Sequence, residues 1–193
     1  MPSYPTPAAV RGASGAPSLT KLAAMVRGGS IAPVLDAIWV PLLSAVLIVV
    51  AGAVGVWLKQ PLLFAALGPT VLMVASSPGH ETTRFRAVVG GHLVAICCAY
   101  LALMLLDASG APTLRATTTV PLPRVWAGAG AVALMAIVQP QLRAYHPPAA
   151  ATALLVTFGA YRMTGKTPLA LVGGVLVVAL AAELLQRLRP RGQ

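Results

Sequence analysis

Residues 144–155 read AYHPPAAATALL, and whether this stretch crosses a membrane decides the fold. A histidine and two consecutive prolines stand at the mouth of a run otherwise made of Ala, Leu, Val and Thr. Proline has no backbone N–H and a fixed φ, so it closes one segment and is tolerated in the first turn of the next. Pro147-Pro148 therefore predicts a helix start, with His146 at its cap.

Outward from this motif the chain carries six apolar runs. Three precede it: Asp36 to Trp57, Leu62 to Ser77 and Phe85 to Leu106. Val125 to Leu142 lies just before it, the motif opens Pro147 to about Tyr161, and Leu169 to Leu188 is the last. The long runs can cross a hydrocarbon core of about 30 Å at about 1.5 Å per residue. The second run is short and interrupted at Gly68-Pro69, as the fifth is at Pro147-Pro148.

Composition selects the solvent. The chain of 193 residues is 58% hydrophobic and 9% charged, with a mean hydropathy of +0.82. A soluble domain carries about 25% charged residues, so this one cannot clothe itself for water. A polytopic, all-α transmembrane bundle is expected, because helices satisfy their own backbone hydrogen bonds in lipid. Net charge is +10, from 14 basic and four acidic residues. The basic residues flank apolar runs and aromatic residues are few, which suits lipid headgroups and cytoplasmic loops rather than nucleic acid. Cys97 and Cys98 are adjacent within an apolar run and read as small buried hydrophobes. Residues 1–34, rich in Pro, Ala, Ser and Gly with Arg11, Lys21 and Arg27, read as a flexible basic cytoplasmic tail without a signal peptide's apolar core.

The order long, short, long occurs twice. VVGGHLVAICCAYL at 88–101 matches LVGGVLVVALAAEL at 171–184, which suggests an internal duplication with half-repeats of about 36–107 and 119–190 within a transmembrane domain at 35–190. If all three runs of each half cross, the halves are inverted, and short Gly/Pro-interrupted segments at matching positions point to a transport site between them. If the short runs are re-entrant, four spans remain and the halves are parallel. In the six-span reading about nine of the 14 basic residues lie on the side of both termini, against five opposite; the four-span reading gives about eight to six, and both place the termini in the cytoplasm.

A helix start inside the membrane would present free N–H groups and about half a positive charge, which attracts anions. Two prolines remove two donors, leaving Ala149, Ala150 and the His146 imidazole. The plainer reading is that His146 only caps its helix at the interface. His92 follows Gly90-Gly91 within a spanning run and is a site candidate for the same reason as any intramembrane ionisable group; a bond to a neighbouring helix explains it equally well. The Gly-Gly pairs suit close helix crossing. Thr70, Thr152 and Thr157 can line a path or bond their own helices. His80, in SSPGHETTRFR, reads as solvated. No carboxylate occupies the middle of a run, which favours a neutral or anionic solute over a cation. No His and acid spacing suggests a metal site or catalytic triad, so neither enzyme activity nor cofactor is expected.

HPPAAATALL at 146–155, with GGHL at 90–93 and LGPTVLMVASSP at 67–78, resembles the HPP family of integral membrane proteins, over roughly residues 35 to 190. Its members are usually described as four-span proteins, and plant and cyanobacterial relatives are implicated in nitrite transport. The chain departs from the pattern at Pro69, where another small residue is expected. The resemblance implies a permease or channel for a small inorganic anion, with nitrite favoured, in a bacterial inner membrane. One wall of its path would be His146, Pro147, Pro148 and Ala149, faced by Gly68, Pro69 and Thr70, with His92 a second polar contact. A non-transporting scaffold or sensor, and a channel for an uncharged solute, stay open, as does a homo-oligomer.

Overall fold

The computed structural model of the protein describes Thr20 and residues 32–160 and 167–187. These residues form six α-helices in the order long, short, long, long, short, long: α1 (Ala32–Leu58), α2 (Leu67–Ser76), α3 (Phe85–Leu105), α4 (Leu122–Gln141), α5 (Ala149–Thr157) and α6 (Thr167–Arg187). A 3₁₀ turn, Glu81–Thr83, precedes α3. Four helices are long and apolar enough to cross a membrane: α1 from Ala37 on, α3, α4 and α6. Their outer surfaces are apolar, with Val56 and Trp57 of α1 both 81% exposed and Leu169 of α6 73% exposed. In water such a surface would be a very large sticky patch; against lipid it is the normal covering.

Several starts lie earlier than the apolar runs indicate. α1 begins at Ala32 rather than Asp36, reaching into the expected tail, most of which lies outside the described residues. α4 begins at Leu122, with Pro121 as cap and Pro123 in its first turn, a place where proline costs no hydrogen bond. The second run departs furthest from expectation. Its helix begins at Leu67, so Gly68-Pro69 does not break it but sits within its first turn, again where a missing N–H is tolerated. Residues 62–66 precede the helix, and their backbone is pressed against glycine: an added Cβ on Gly174 would collide with the Leu62 carbonyl oxygen and stand 3.1 Å from the Phe64 ring.

Contacts fix how the helices run. Ala102 in the last turn of α3 and its cap Leu106 lie against Gly130 in the first half of α4, and Gln139 near the end of α4 bonds the Gly91 carbonyl near the start of α3. α3 and α4 are therefore antiparallel. Phe85 and Val88 share a cleft with Ala182 and Gln186, so α3 starts beside the end of α6. Leu62, just beyond the end of α1, packs on Gly173 and Gly174 in the first half of α6, which makes α1 antiparallel to α6. Two faces result: a terminal face, where α1 begins and α6 ends, and a connector face, where residues 106–121 join the halves.

α1 ends on the connector face but α3 starts on the terminal face, so residues 59–66 and α2 together carry the chain across. The bond from Gln186 Nε2 to the Val74 carbonyl, 2.9 Å, places the far end of α2 at the terminal face. In the second half, residues 142–148 and α5 make the return journey, ending where Arg124 at the start of α4 bonds the Thr157 carbonyl at 2.7 Å. The chain thus passes between the faces six times, twice as a hybrid of non-helical chain and short helix.

Corresponding turns recur in the two halves. Lys59 (φ 53°) and Arg143 (φ 51°) each close a long helix in the left-handed conformation. Each is followed by a residue whose N–H reaches back to a helix carbonyl, Gln60 to Gly55 and Ala144 to Gln139, both at 2.9 Å. Gly90 and Gly91 then receive Ala144 and His146, as Gly173 and Gly174 receive Leu62 and Phe64. The halves interlock: α3 packs with α4 and α5, α6 packs with α1 and α2, and α3 against α6 joins the two groups.

Candidate functional site

Where both hybrid crossings pass α3, four polar side chains meet in a mostly apolar bundle. Thr70 comes from the first turn of α2, His92 from α3, His146 from the turn before α5, and Thr152 from the first turn of α5. His92 is 1% exposed and the other three 0%. Burial at this level requires each polar atom to be bonded, and the distances supply the bonds.

His146 Nδ1 lies 2.8 Å from the Thr82 carbonyl oxygen. A carbonyl only accepts, so Nδ1 carries the proton and Nε2 of a neutral ring is an acceptor. That Nε2 is 3.3 Å from Thr70 Oγ1, and Thr70 Oγ1 is 3.0 Å from His92 Nε2. His92 Nδ1 in turn lies 2.7 Å from Thr152 Oγ1. One direction satisfies the whole chain with both rings neutral: Thr152 O–H donates to His92 Nδ1, His92 Nε2–H to Thr70, Thr70 O–H to His146 Nε2, and His146 Nδ1–H to the Thr82 carbonyl. Thr70 has a single proton and a second acceptor within reach, the Ala66 carbonyl at 3.1 Å. The middle of the chain is therefore contested, which allows rearrangement without breaking the cluster apart.

The surroundings hold the rings in place. Their centroids are 5.3 Å apart, and Phe64 stands edge-on to His92 at 6.4 Å. Gln139, wholly buried, donates from Nε2 to the Gly91 carbonyl at 3.0 Å and accepts the His146 N–H at Oε1, 3.2 Å. Gly91 lets His146 approach: a Cβ there would stand 2.6 Å from His146 Cβ. On the terminal face the loop carrying Thr82 covers His146, folded by Thr83 Oγ1 donating to the Ser77 carbonyl (2.8 Å) and the His80 carbonyl (2.9 Å). His80 is exposed, and its Nδ1 accepts the Thr82 N–H at 3.3 Å, capping the 3₁₀ turn.

Of the eight residues expected along a path, Thr70, His92 and His146 come together, and Ala149 is buried beside them. Gly68, Pro69, Pro147 and Pro148 do not join the cluster: Pro69 and Pro147 are exposed, Gly68 and Pro148 half-exposed. In a short helix the inward stripe is Leu67, Thr70, Val71 and Val74, and the residues between it turn outward. Two further expectations are corrected. The His146 side chain does not cap α5. Nor are the Ala149 and Ala150 N–H groups free for an anion, since they bond the His146 and Pro147 carbonyls, both at 3.0 Å; the proline-fixed φ angles wind an extra turn ahead of the helix. Polar capacity at this point comes from imidazoles and hydroxyls.

Thr82, Gln139 and Arg124 escaped the sequence reading. Gln139 carried a signal, an amide inside an apolar run, which in lipid needs a partner. Thr82 contributes only a backbone carbonyl, which no side-chain pattern reveals. Thr157 takes the plain option, donating to the Ala153 carbonyl at 3.0 Å. Among the described residues no group of three or more His, Cys, Asp or Glu side chains could hold a metal ion.

The family model described as "HPP, transmembrane region" matches residues 30–193. No curated protein and no solved structure matches the chain.

Proposed function

The chain belongs to the HPP family of transmembrane proteins, and from that premise we propose that it is a permease for a small inorganic anion, with nitrite the favoured solute, gated at the His–Thr–His cluster. The observation that carries the reading is the buried meeting of Thr70, His92, His146 and Thr152 at the point where both hybrid crossings pass α3. A desolvated anion needs N–H and O–H donors, and this cluster holds four mobile protons with no carboxylate. The contested Thr70 proton lets the donors turn toward a passing oxyanion. The structure's cluster is occluded, with Thr82 closing the terminal side, so passage requires the 77–84 loop to release His146. The reading needs no covalent step, no metal and no cofactor.

Orientation follows the same premise. Among the described residues Arg84, Arg86, Arg143 and Arg187 belong to the terminal face and Lys59, Arg115 and Arg124 to the connector face, a bias that under the positive-inside rule supports a cytoplasmic terminal face in a bacterial inner membrane.

Purified protein in liposomes tests the proposal. Nitrite uptake is expected to exceed that of empty vesicles and to respond to membrane potential, since one charge moved across 100 mV is worth about 2.3 kcal/mol. His146→Ala, which leaves Thr70 and the Thr82 carbonyl without their shared partner, is expected to slow uptake by about tenfold or more. Uptake equal to empty vesicles overturns the proposal in favour of a scaffold, and flux indifferent to potential points to an uncharged solute.

A further inference from the structure

At the opposite end from the histidines, the start of α4 buries a charge. Arg124 is 4% exposed, although it lies only two residues after the helix begins. Its partners are all backbone carbonyls. Nε donates to Ala111 (3.0 Å) and Pro112 (2.7 Å), Nη2 to Ser109 (3.3 Å) and Ala111 (2.7 Å), and Nη1 to Thr157 (2.7 Å). The guanidinium is permanently charged and carries five N–H groups. Four are spent in this way; one Nη1–H has no acceptor among the described residues. The single ion pair among them joins Arg187 to Glu183, far from here at the end of α6, so Arg124 has no ion-pair partner among the described residues.

The charge borders a cavity of about 500 Å³ lined also by Arg115, Ser109, Thr113, Tyr100 and Gly159, with no acidic side chain among the described residues that line it. Gly159 (φ +66°) keeps Nη1 uncovered, since a Cβ there would stand 3.4 Å from it and collide with Thr113. Arg115 is exposed at the rim. A buried cation, a second cation, a hydroxyl and an unspent N–H around one space form a receptor for a negatively charged oxygen.

We infer that this connector-face cavity binds an oxyanion between Arg124 Nη1 and Arg115. For its ligand class this rests on the anion reading above, and two sources present the same chemistry: a free small oxyanion, or the phosphate of an anionic lipid whose chains lie along the apolar flank at Leu103 and Met104. Arg124 also ties the connector to α5, so its role as a clasp and its role in binding are tested separately.

The test is equilibrium binding to purified full-length protein in zwitterionic phosphatidylcholine nanodiscs at low ionic strength, with nitrite and nitrate as probes. Arg115→Gln leaves the clasp intact and is expected to weaken binding about tenfold or more, the usual cost of losing a charged hydrogen-bond partner; Arg124→Lys, if it folds, is expected to do so further. The same proteins in phosphatidylglycerol-containing discs identify the source. Failure of nitrite to bind, with wild type retaining phosphatidylglycerol more strongly than Arg115→Gln, supports the site with a lipid phosphate as occupant. Equal binding of nitrite, nitrate and phosphatidylglycerol by wild type and Arg115→Gln overturns it. Binding is read without transport, so a failure here is distinct from a failure of flux at His146.

Discussion

Thr70 joins the two halves of the buried cluster. It is one hydroxyl between two imidazoles, 3.0 Å from one and 3.3 Å from the other. Its neighbours Gly68 and Pro69 stood out more in the sequence, yet they turn away from the cluster. The glycines give a sharp comparison. Gly91→Ala places a methyl 2.6 Å from His146 Cβ and 3.0 Å from the Ala144 carbonyl oxygen, so the turn must move, whereas Gly68→Ala meets nothing within 4 Å. Thermal unfolding in detergent should show Gly91→Ala destabilised by about 1–3 kcal/mol. Gly68→Ala should be neutral or slightly stabilised, by up to about 1 kcal/mol of helix propensity. Equal effects would mean His146 is not seated on Gly91. What the sequence disclosed at this scale was polarity out of place: His92, His146 and Thr70 are legible because hydrocarbon punishes them. Thr152 was as likely to bond its own helix, and the Thr82 carbonyl leaves no mark in any side-chain pattern.

At the scale of elements, the short helices explain why a histidine and two prolines interrupt an apolar run. A continuous helix from residue 142 onward would hold His146 on a rigid cylinder. The break after Arg143 lets non-helical chain press the ring against Gly91, while Pro147 and Pro148 start α5 a few residues later. The first half does the same with Lys59, Leu62 and Phe64 against Gly173 and Gly174. Phe64 occupies the place that His146 takes in the second half, so the polar site is built on one side of a near-symmetric frame. Six apolar runs and their order were readable from hydropathy alone. The starts of α1 and α4 were not, because prolines that end an apolar run can also begin a helix. Whether the short segments cross was unreadable too, since non-helical residues 59–66 carry no hydrophobic period.

For the whole molecule, crossing number becomes an observable. Six passages put Lys59 and Arg84 on opposite faces; a re-entrant second segment would put them on one. Single cysteines at these positions, in a background lacking Cys97 and Cys98, should be labelled by an impermeant thiol reagent from opposite sides of sealed vesicles. Labelling of both from the same side contradicts the fold. The same frame separates the two charged ends, with the exposed basic segments of the terminal face at one and the Arg124 cavity at the other. Arg124 was visible in the sequence only as a flanking charge, because its carbonyl partners come from a connector whose path no pattern predicts.

Passage of solute between Thr70, His92 and His146 can be probed at Thr70 itself. Thr70→Cys places a thiol between two imidazole nitrogens at spacings suited to a tetrahedral soft metal. Nitrite flux through Thr70→Cys liposomes should be blocked by micromolar cadmium and restored by chelation, while wild type carrying only Cys97 and Cys98 should be unaffected. Flux that continues while bound cadmium protects the new cysteine from alkylation would mean that solute does not pass this cluster.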